Sequence, residues 1–177
     1  AVGGTLVRMT PLSLPILRNL GERDPYRETF ALAVIAEEAG FDTATIGHHH
    51  FMPGNLSDPL TLLAAVAART STLRLGTGIL VAAQREPIVL AKELAGIDVL
   101  SKGRLLVGIG VGYVKGEFDA LGIPFEERGP RASEHIEVLR TLWTSEKPEF
   151  SGRFTKFAGI QSRPFPVQKP HPPIHVG

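Results

Sequence analysis

Short aliphatic runs alternate along this chain with segments whose apolar positions recur at helical spacing. Phe41 to Gly47, Leu73 to Val81 and Arg104 to Gly110 read as buried strands with polar or glycine-rich C-terminal ends. Between them, Asp58-Pro59 and Glu86-Pro87 each set a capping carboxylate before a first-turn proline. The helix after Asp58 carries Leu62, Leu63, Val66, Ala67 and Thr70 on one face. The helix after Glu86 carries Leu90, Leu94 and Ile97, with Gly103 just past its end. Upstream, Asp24-Pro25 opens a helix with Leu32, Ile35, Ala36 and Ala39 in register and Gly40 as its C-terminal cap. A first strand is expected between Val2 and Leu14, centred on Leu6 to Met9. Strands starting near 43, 73 and 104 lie about thirty residues apart, the size of a β-α-β unit. Consecutive units of this kind predict a parallel sheet with right-handed crossovers.

The regularity then breaks. Gly112 to Gly129 reads as a long loop with a helical turn around Glu117 to Leu121. Pro130 begins a helix whose buried side holds Ala132, Ile136, Leu139 and Trp143. Glu149 to Phe157, interrupted by Ser151-Gly152, resembles a small hairpin. Five prolines between Pro164 and Pro173 make an extended connector into a fifth strand over Pro173 to Gly177. Closure ties strand number to tilt and stagger, so five strands do not complete an eight-stranded barrel. The expected fold is therefore α/β, the first five strands of a TIM-type (β/α)8 barrel. Residues 1–177 would form one incomplete barrel domain, a fragment of a longer one or a half that depends on a partner, with residues 112–172 inserted between its fourth and fifth strands.

Composition narrows the function classes. Nineteen basic against eighteen acidic residues leave a net charge of +1, which advertises neither nucleic acid nor an anionic membrane surface. With no cysteine, disulfides, thiolate metal sites and cysteine catalysis are excluded, and a cytoplasmic setting fits. No run reaches the roughly 18 to 20 apolar residues that cross a bilayer, and no signal peptide is evident.

Candidate chemistry gathers at the predicted strand ends. His48-His49-His50 follows the second strand, and on an extended segment His48 and His50 face one way and His49 the other. A metal site on the like-facing pair lacks a third ligand, because His135, His171 and His175 are remote in sequence. His49 could instead face a cofactor as a proton or hydrogen-bond donor, or all three rings could simply end a strand. Gly76-Thr77-Gly78-Ile79 interrupts an aliphatic strand, which marks either a bulge against a flat ligand or close packing on the crossover helix. Gly108-Ile109-Gly110-Val111-Gly112 is neither a dinucleotide fingerprint nor a phosphate-binding loop, but such glycines let a ligand reach backbone N–H groups, or turn the chain out of the sheet. Tyr113 and Glu117 either face that ligand or sit in solvent. Trp143 reads as core, and Glu126, Glu127, Arg128 and Arg131 as surface charges or ion pairs. The four phenylalanines from Phe150 to Phe165 read as hairpin packing, since no basic groove accompanies them.

In combination these segments resemble the luciferase-like monooxygenases and deazaflavin-dependent oxidoreductases. The matching pieces are Ala36 to Phe41, His49-His50-Phe51, Gly76 to Ile79, Ser101 to Arg104 and Gly108 to Tyr113. Glu117 to Gly122, Glu127 to Arg131 and Pro172 to Gly177 look like the deazaflavin-using branch. The resemblance implies a bacterial-luciferase-like barrel binding a reduced flavin, either the deazaflavin coenzyme F-420 or FMN, at its strand ends. It puts a functional histidine at His49 and a non-proline cis peptide at Gly78-Ile79. It makes Thr77, Gly78, Ile79, Gly110, Val111, Gly112 and Tyr113, with His49, the cofactor-binding residues. The expected activity is hydride transfer to or from a small organic substrate with F-420, in a homodimer with no metal. The alternatives are an FMN-dependent monooxygenase of the same fold, or a non-catalytic flavin-binding relative or dimer subunit.

Overall fold

The computed structural model describes residues 13–15, 25–51 and 58–177. Its elements are β1 (Ser13–Pro15), α1 (Pro25–Glu38), β2 (Thr43–Ile46), α2 (Pro59–Arg69), β3 (Arg74–Thr77), β4 (Leu80–Val81) and α3 (Pro87–Leu100). There follow β5 (Leu105–Gly110), α4 (Lys115–Ala120), α5 (Arg128–Thr144), the hairpin strands β6 (Phe150–Ser151) and β7 (Lys156–Phe157), and β8 (Ile174–Val176). Every ladder of the main sheet is parallel. β2 lies between β1 and β3, and β5 runs beside β3 and β4 on one side and β8 on the other. β3 and β4 are thus two halves of one strand interrupted at Gly78-Ile79.

Local chemistry explains the helix starts. The Asp58 carboxylate accepts the Leu60 and Thr61 N–H groups ahead of Pro59, and Glu86 accepts Val89 N–H ahead of Pro87. Gly40 and Gly103, at φ 81 and 82, take the left-handed conformation that ends α1 and the turn after α3. The predicted stripes of α2 and α3 are buried and meet Leu73, Leu75, Leu105 and Val107 of the sheet in one core. Across α3 lies α5, where buried Trp143 donates its indole N–H to Ala91 O at 2.9 Å.

Several expectations shift. Leu6 to Met9 lies outside the described residues, as does Asp24, and the strand that pairs with β2 is Ser13–Pro15. α1 buries Thr29, Ala33 and Ala36, while Leu32 and Ile35 are exposed. The helix rests on the small side chains spaced i, i+4 and i+7, which leaves the two larger residues on its flank. The long loop contains α4 and a 3-10 turn over Phe125–Glu127, and α5 starts at Arg128, two residues before the expected proline. Its buried side includes His135 and Val138, with Ile136 only half-buried.

Three polar residues tie this scaffold together away from the strand ends. Arg104 donates to the carbonyls of Ala67, Thr70, Leu73 and Ser101 and to the Thr70 hydroxyl. Glu134 accepts the Arg153, Phe154 and Thr155 N–H groups and so closes the hairpin turn. Glu37 accepts the N–H groups of Ser71, Thr72 and Leu73 where the chain enters β3. Burial pushes the Glu37 carboxyl up, but the Thr72, Leu73 and Ser71 N–H groups outweigh it and hold it at about 2. A carboxyl depressed on folding stabilises above its unfolded pKa, and the contribution fades as pH falls through the folded value. The stability gap between wild type and Glu37→Gln is therefore expected in full near pH 6 and should narrow from about pH 4.5 towards pH 2. Urea unfolding of both proteins across that range measures it, and a gap that stays constant would contradict this cause.

Candidate active site

The C-terminal ends of β2, β4 and β5 bring the candidate residues together. Just past β2, the three histidines divide as the spacing predicts. His48 is buried, and its Nδ1 accepts the Val81 N–H at 3.1 Å. Its Nε2 lies 3.2 Å from Nε2 of His50. His49 turns to the other side, where Nδ1 meets Glu117 Oε1 at 3.3 Å and the ring packs edge-on against Tyr113, centroids 5.6 Å apart.

Glu117, on α4, is the hub of this end. Its side chain is 3% exposed, yet Oε1 accepts the His50 N–H at 3.0 Å and the Phe51 N–H at 3.3 Å, while Oε2 accepts from Gln84 Nε2 at 3.4 Å. Burial raises its pKa, but the Phe51 N–H, the Gln84 amide and His49 outweigh that, and the net shift is downwards. A buried, ionised carboxylate thus splints the segment after β2 to α4. Burial lowers the His48 pKa to about 3, with the charges of His50 and Arg85 acting the same way. His50 is lowered by burial and by Arg85. Arg85 is itself held by Asp58 at 2.6 Å.

The interrupted strand forms the second wall. The peptide Gly78-Ile79 is cis, as the resemblance implied. Gly78 N–H donates to Ile46 O, and a Cβ on Gly78 would stand 2.9 Å from Thr45 Cβ, so the backbones of β2 and the bulge are in close approach. The Thr77 hydroxyl is committed inward, donating to Gly108 O at 2.7 Å and accepting Gly108 N–H at 2.9 Å. Any ligand contact by Thr77 would come from its backbone. Ile79 is 38% exposed, and its Cδ1 occupies the space a Gly110 Cβ would need. Val111, 40% exposed, and Tyr113, 73% exposed, continue the surface beyond β5. Gly112, at φ 78, turns the chain out between Val81 and Phe118.

Of the three other rings that could have joined a metal site, two are hydrogen-bonded elsewhere. His135 Nδ1 bonds Ala82 O, His171 Nδ1 bonds Pro172 O, and His175 sits on β8. Among the described residues no group of three or more metal-ligating side chains converges, and no helix is long and apolar enough to cross a membrane. Sequence reasoning singled out His49 and the glycines but left Glu117 open and missed Gln84 and the Arg85–Asp58 pair.

The luciferase-like monooxygenase profile matches residues 9–177. The chain belongs to this family. An FMNH2-dependent dimethylsulfone monooxygenase from Pseudomonas putida is 37% identical over 153 residues, covering 82% of this chain and 42% of the relative. An F420-dependent glucose-6-phosphate dehydrogenase from Nocardia farcinica is 37% identical over 144 residues, covering 75% and 42%. The crystal structure of monooxygenase RslO1 from Streptomyces bottropensis superposes with a TM-score of 0.86 at 35% identity, covering 93% of this chain and 52% of that one. The chain spans 42% to 59% of the length of these curated relatives and of an uncharacterized mycobacterial one. The parallel sheet is accordingly the corresponding part of a luciferase-like barrel. In this family's barrel the strand ends that carry His49, Ile79 and Val111 form the face where active sites are built.

Proposed function

We propose that the protein is a flavin-type oxidoreductase, using deazaflavin coenzyme F-420 for hydride transfer to or from a small organic substrate. One observation carries this reading. At a single sheet end, a partly exposed histidine backed by a buried carboxylate stands with exposed apolar residues. Such a surface suits a flat tricyclic ring. Ile79, Val111 and Tyr113 offer apolar contact, and Gly110 lets the Ile79 side chain lie across the backbone of β5. When bound, the cofactor supplies the redox chemistry, and the protein orients it and excludes water. His49 is the group that would hold or move a proton, while His48, whose pKa burial lowers to about 3, stays neutral and ties the end of β2 to Val81.

The F-420 choice draws support from the F420-dependent relative and from the deazaflavin-like stretches over residues 117–122 and 127–131. An FMN-dependent monooxygenase is the second reading, favoured by the dimethylsulfone enzyme and by RslO1. Residues 1–177 are read as one luciferase-like barrel region, with 112–172 inserted between β5 and β8. A homodimer and a cytoplasmic setting complete the reading. Val99 and Leu100, exposed near the groove between α2 and α3, support the first; the absence of cysteine supports the second.

Parallel fluorescence titrations with oxidised F-420 and with FMN test the choice. Saturable binding of F-420 with FMN at least tenfold weaker is expected. The reverse order would move the reading to a flavin monooxygenase, and binding of neither would remove the cofactor reading.

A further inference from the structure

We propose that Glu117 is a positioning residue that holds His49 with its proton on Nδ1, so that Nε2 is the atom at which this site takes up and returns a proton. The inference deepens the oxidoreductase reading and rests on it for its functional meaning, but the geometry alone assigns the atoms. The N–H groups of His50 and Phe51 can only donate, and both point at Glu117 Oε1, while the Gln84 NH2 group donates to Oε2. Oε1 is therefore an acceptor. Nδ1 of His49, 3.3 Å from Oε1, must then be the donor. A neutral imidazole has one N–H, so Nε2 is left bare, and it has no protein partner among the described residues. A proton arriving at Nε2 creates an imidazolium beside a carboxylate that is already ionised.

The neighbouring rings have the opposite assignment. His48 Nδ1 accepts from Val81 N–H, so neutral His48 carries its proton on Nε2 and donates it to His50 Nε2. His50 consequently carries its own proton on Nδ1. Both rings use their facing nitrogens on each other, which leaves His49, among the described residues, as the one of the three with an uncommitted basic nitrogen. Among the described residues the groups around His49 are Glu117 on α4, Tyr113 beyond β5, its neighbours His48 and His50, and Gln84 behind Glu117. Arg85 and Asp58 act on His48 and His50 from the other side. Of these, Glu117 is the charge in hydrogen-bond contact with the ring.

Long-range nitrogen–proton NMR on the cofactor-free protein reads the tautomer directly. In neutral His49 the expected spectrum has a protonated Nδ1 and a bare Nε2; a proton on Nε2 instead would overturn the proposal. Glu117→Gln keeps an oxygen for the N–H donors but removes the charge. With the fold verified by its melting curve, the fraction of neutral His49 that carries its proton on Nδ1 is expected to fall by about twofold or more, because a neutral amide oxygen accepts less strongly than a carboxylate. An unchanged fraction would make Glu117 a merely structural splint and sink its positioning role. If Glu117→Gln does not fold, the wild-type tautomer still decides. These spectra need no cofactor, so they can fail while F-420 or FMN still binds, and they can succeed when neither does.

Discussion

Replacing Arg104 with alanine is expected to lower unfolding free energy by about 3 kcal/mol, with little effect on ligand binding. The guanidinium serves four carbonyls and one hydroxyl drawn from the end of α2, the entry to β3 and the end of α3. Those carbonyls include the last ones of two helices, which have no intrahelical partners. Removing the donor strands several at once, and each half-buried orphan costs about 1 kcal/mol or more. Lysine should recover only part of the loss, because a single ammonium cannot reproduce the planar fork. Arg104 precedes the first residue of β5, whereas the candidate site lies beyond its last, Gly110. That position, at the N-terminal face of the strands, is where a barrel invests in stability. A melting temperature lower by about 10 °C with unchanged F-420 or FMN titration is the expected result. Weakened binding in a folded Arg104→Ala protein would show that the two ends of β5 are coupled.

How far the site was legible depends on the range of each interaction. The caps at Asp58 and Glu86, the stripes of α2 and α3 and the break at Gly78-Ile79 are written in residues a few positions apart, and each stands where the pattern put it. The division of the three histidines is the alternation expected of neighbouring positions, and it holds just past the end of β2. α1 shows where such reading stops. Leu32 and Ile35 dominate its pattern, but the covered face is decided by what lies beside it, and there Ala33 and Ala36 allow the closer approach. Glu117 is the sharper case. In sequence it is an acidic residue in a polar loop, and nothing nearby marks it as buried. Its partners at His49, His50 and Phe51 lie 68, 67 and 66 residues away. Only the parallel sheet, by setting the ends of β2 and β5 on the same side, makes that carboxylate a hub.

The two glycines of β5 should separate stability from binding. Gly108→Ala is expected to cost about 3 kcal/mol, at the upper end of overpacking effects. Its Cβ would lie 2.1 Å from the Thr77 carbonyl oxygen. That oxygen is backbone, fixed by the β3 and β5 pairing and by the two hydrogen bonds between Thr77 and Gly108, so relief requires the sheet to part. Gly110→Ala meets a different obstacle. Its Cβ would fall 1.7 Å from Ile79 Cδ1, the end of a side chain that is 38% exposed and free to rotate. Moving it should cost only about 1 kcal/mol. The displaced Ile79 nevertheless reshapes the surface proposed to meet the cofactor ring, and affinity for F-420 or FMN is expected to fall about tenfold. Urea unfolding and cofactor titration of both variants give the comparison. If Gly110→Ala binds as tightly as wild type, Ile79 does not face the cofactor, and the ring must lie against Val111 and Tyr113 instead. If Gly108→Ala proves as stable as wild type, β3 and β5 yield at Thr77, and the bulge is held by Ile46 and Thr45 of the neighbouring strand rather than by β5.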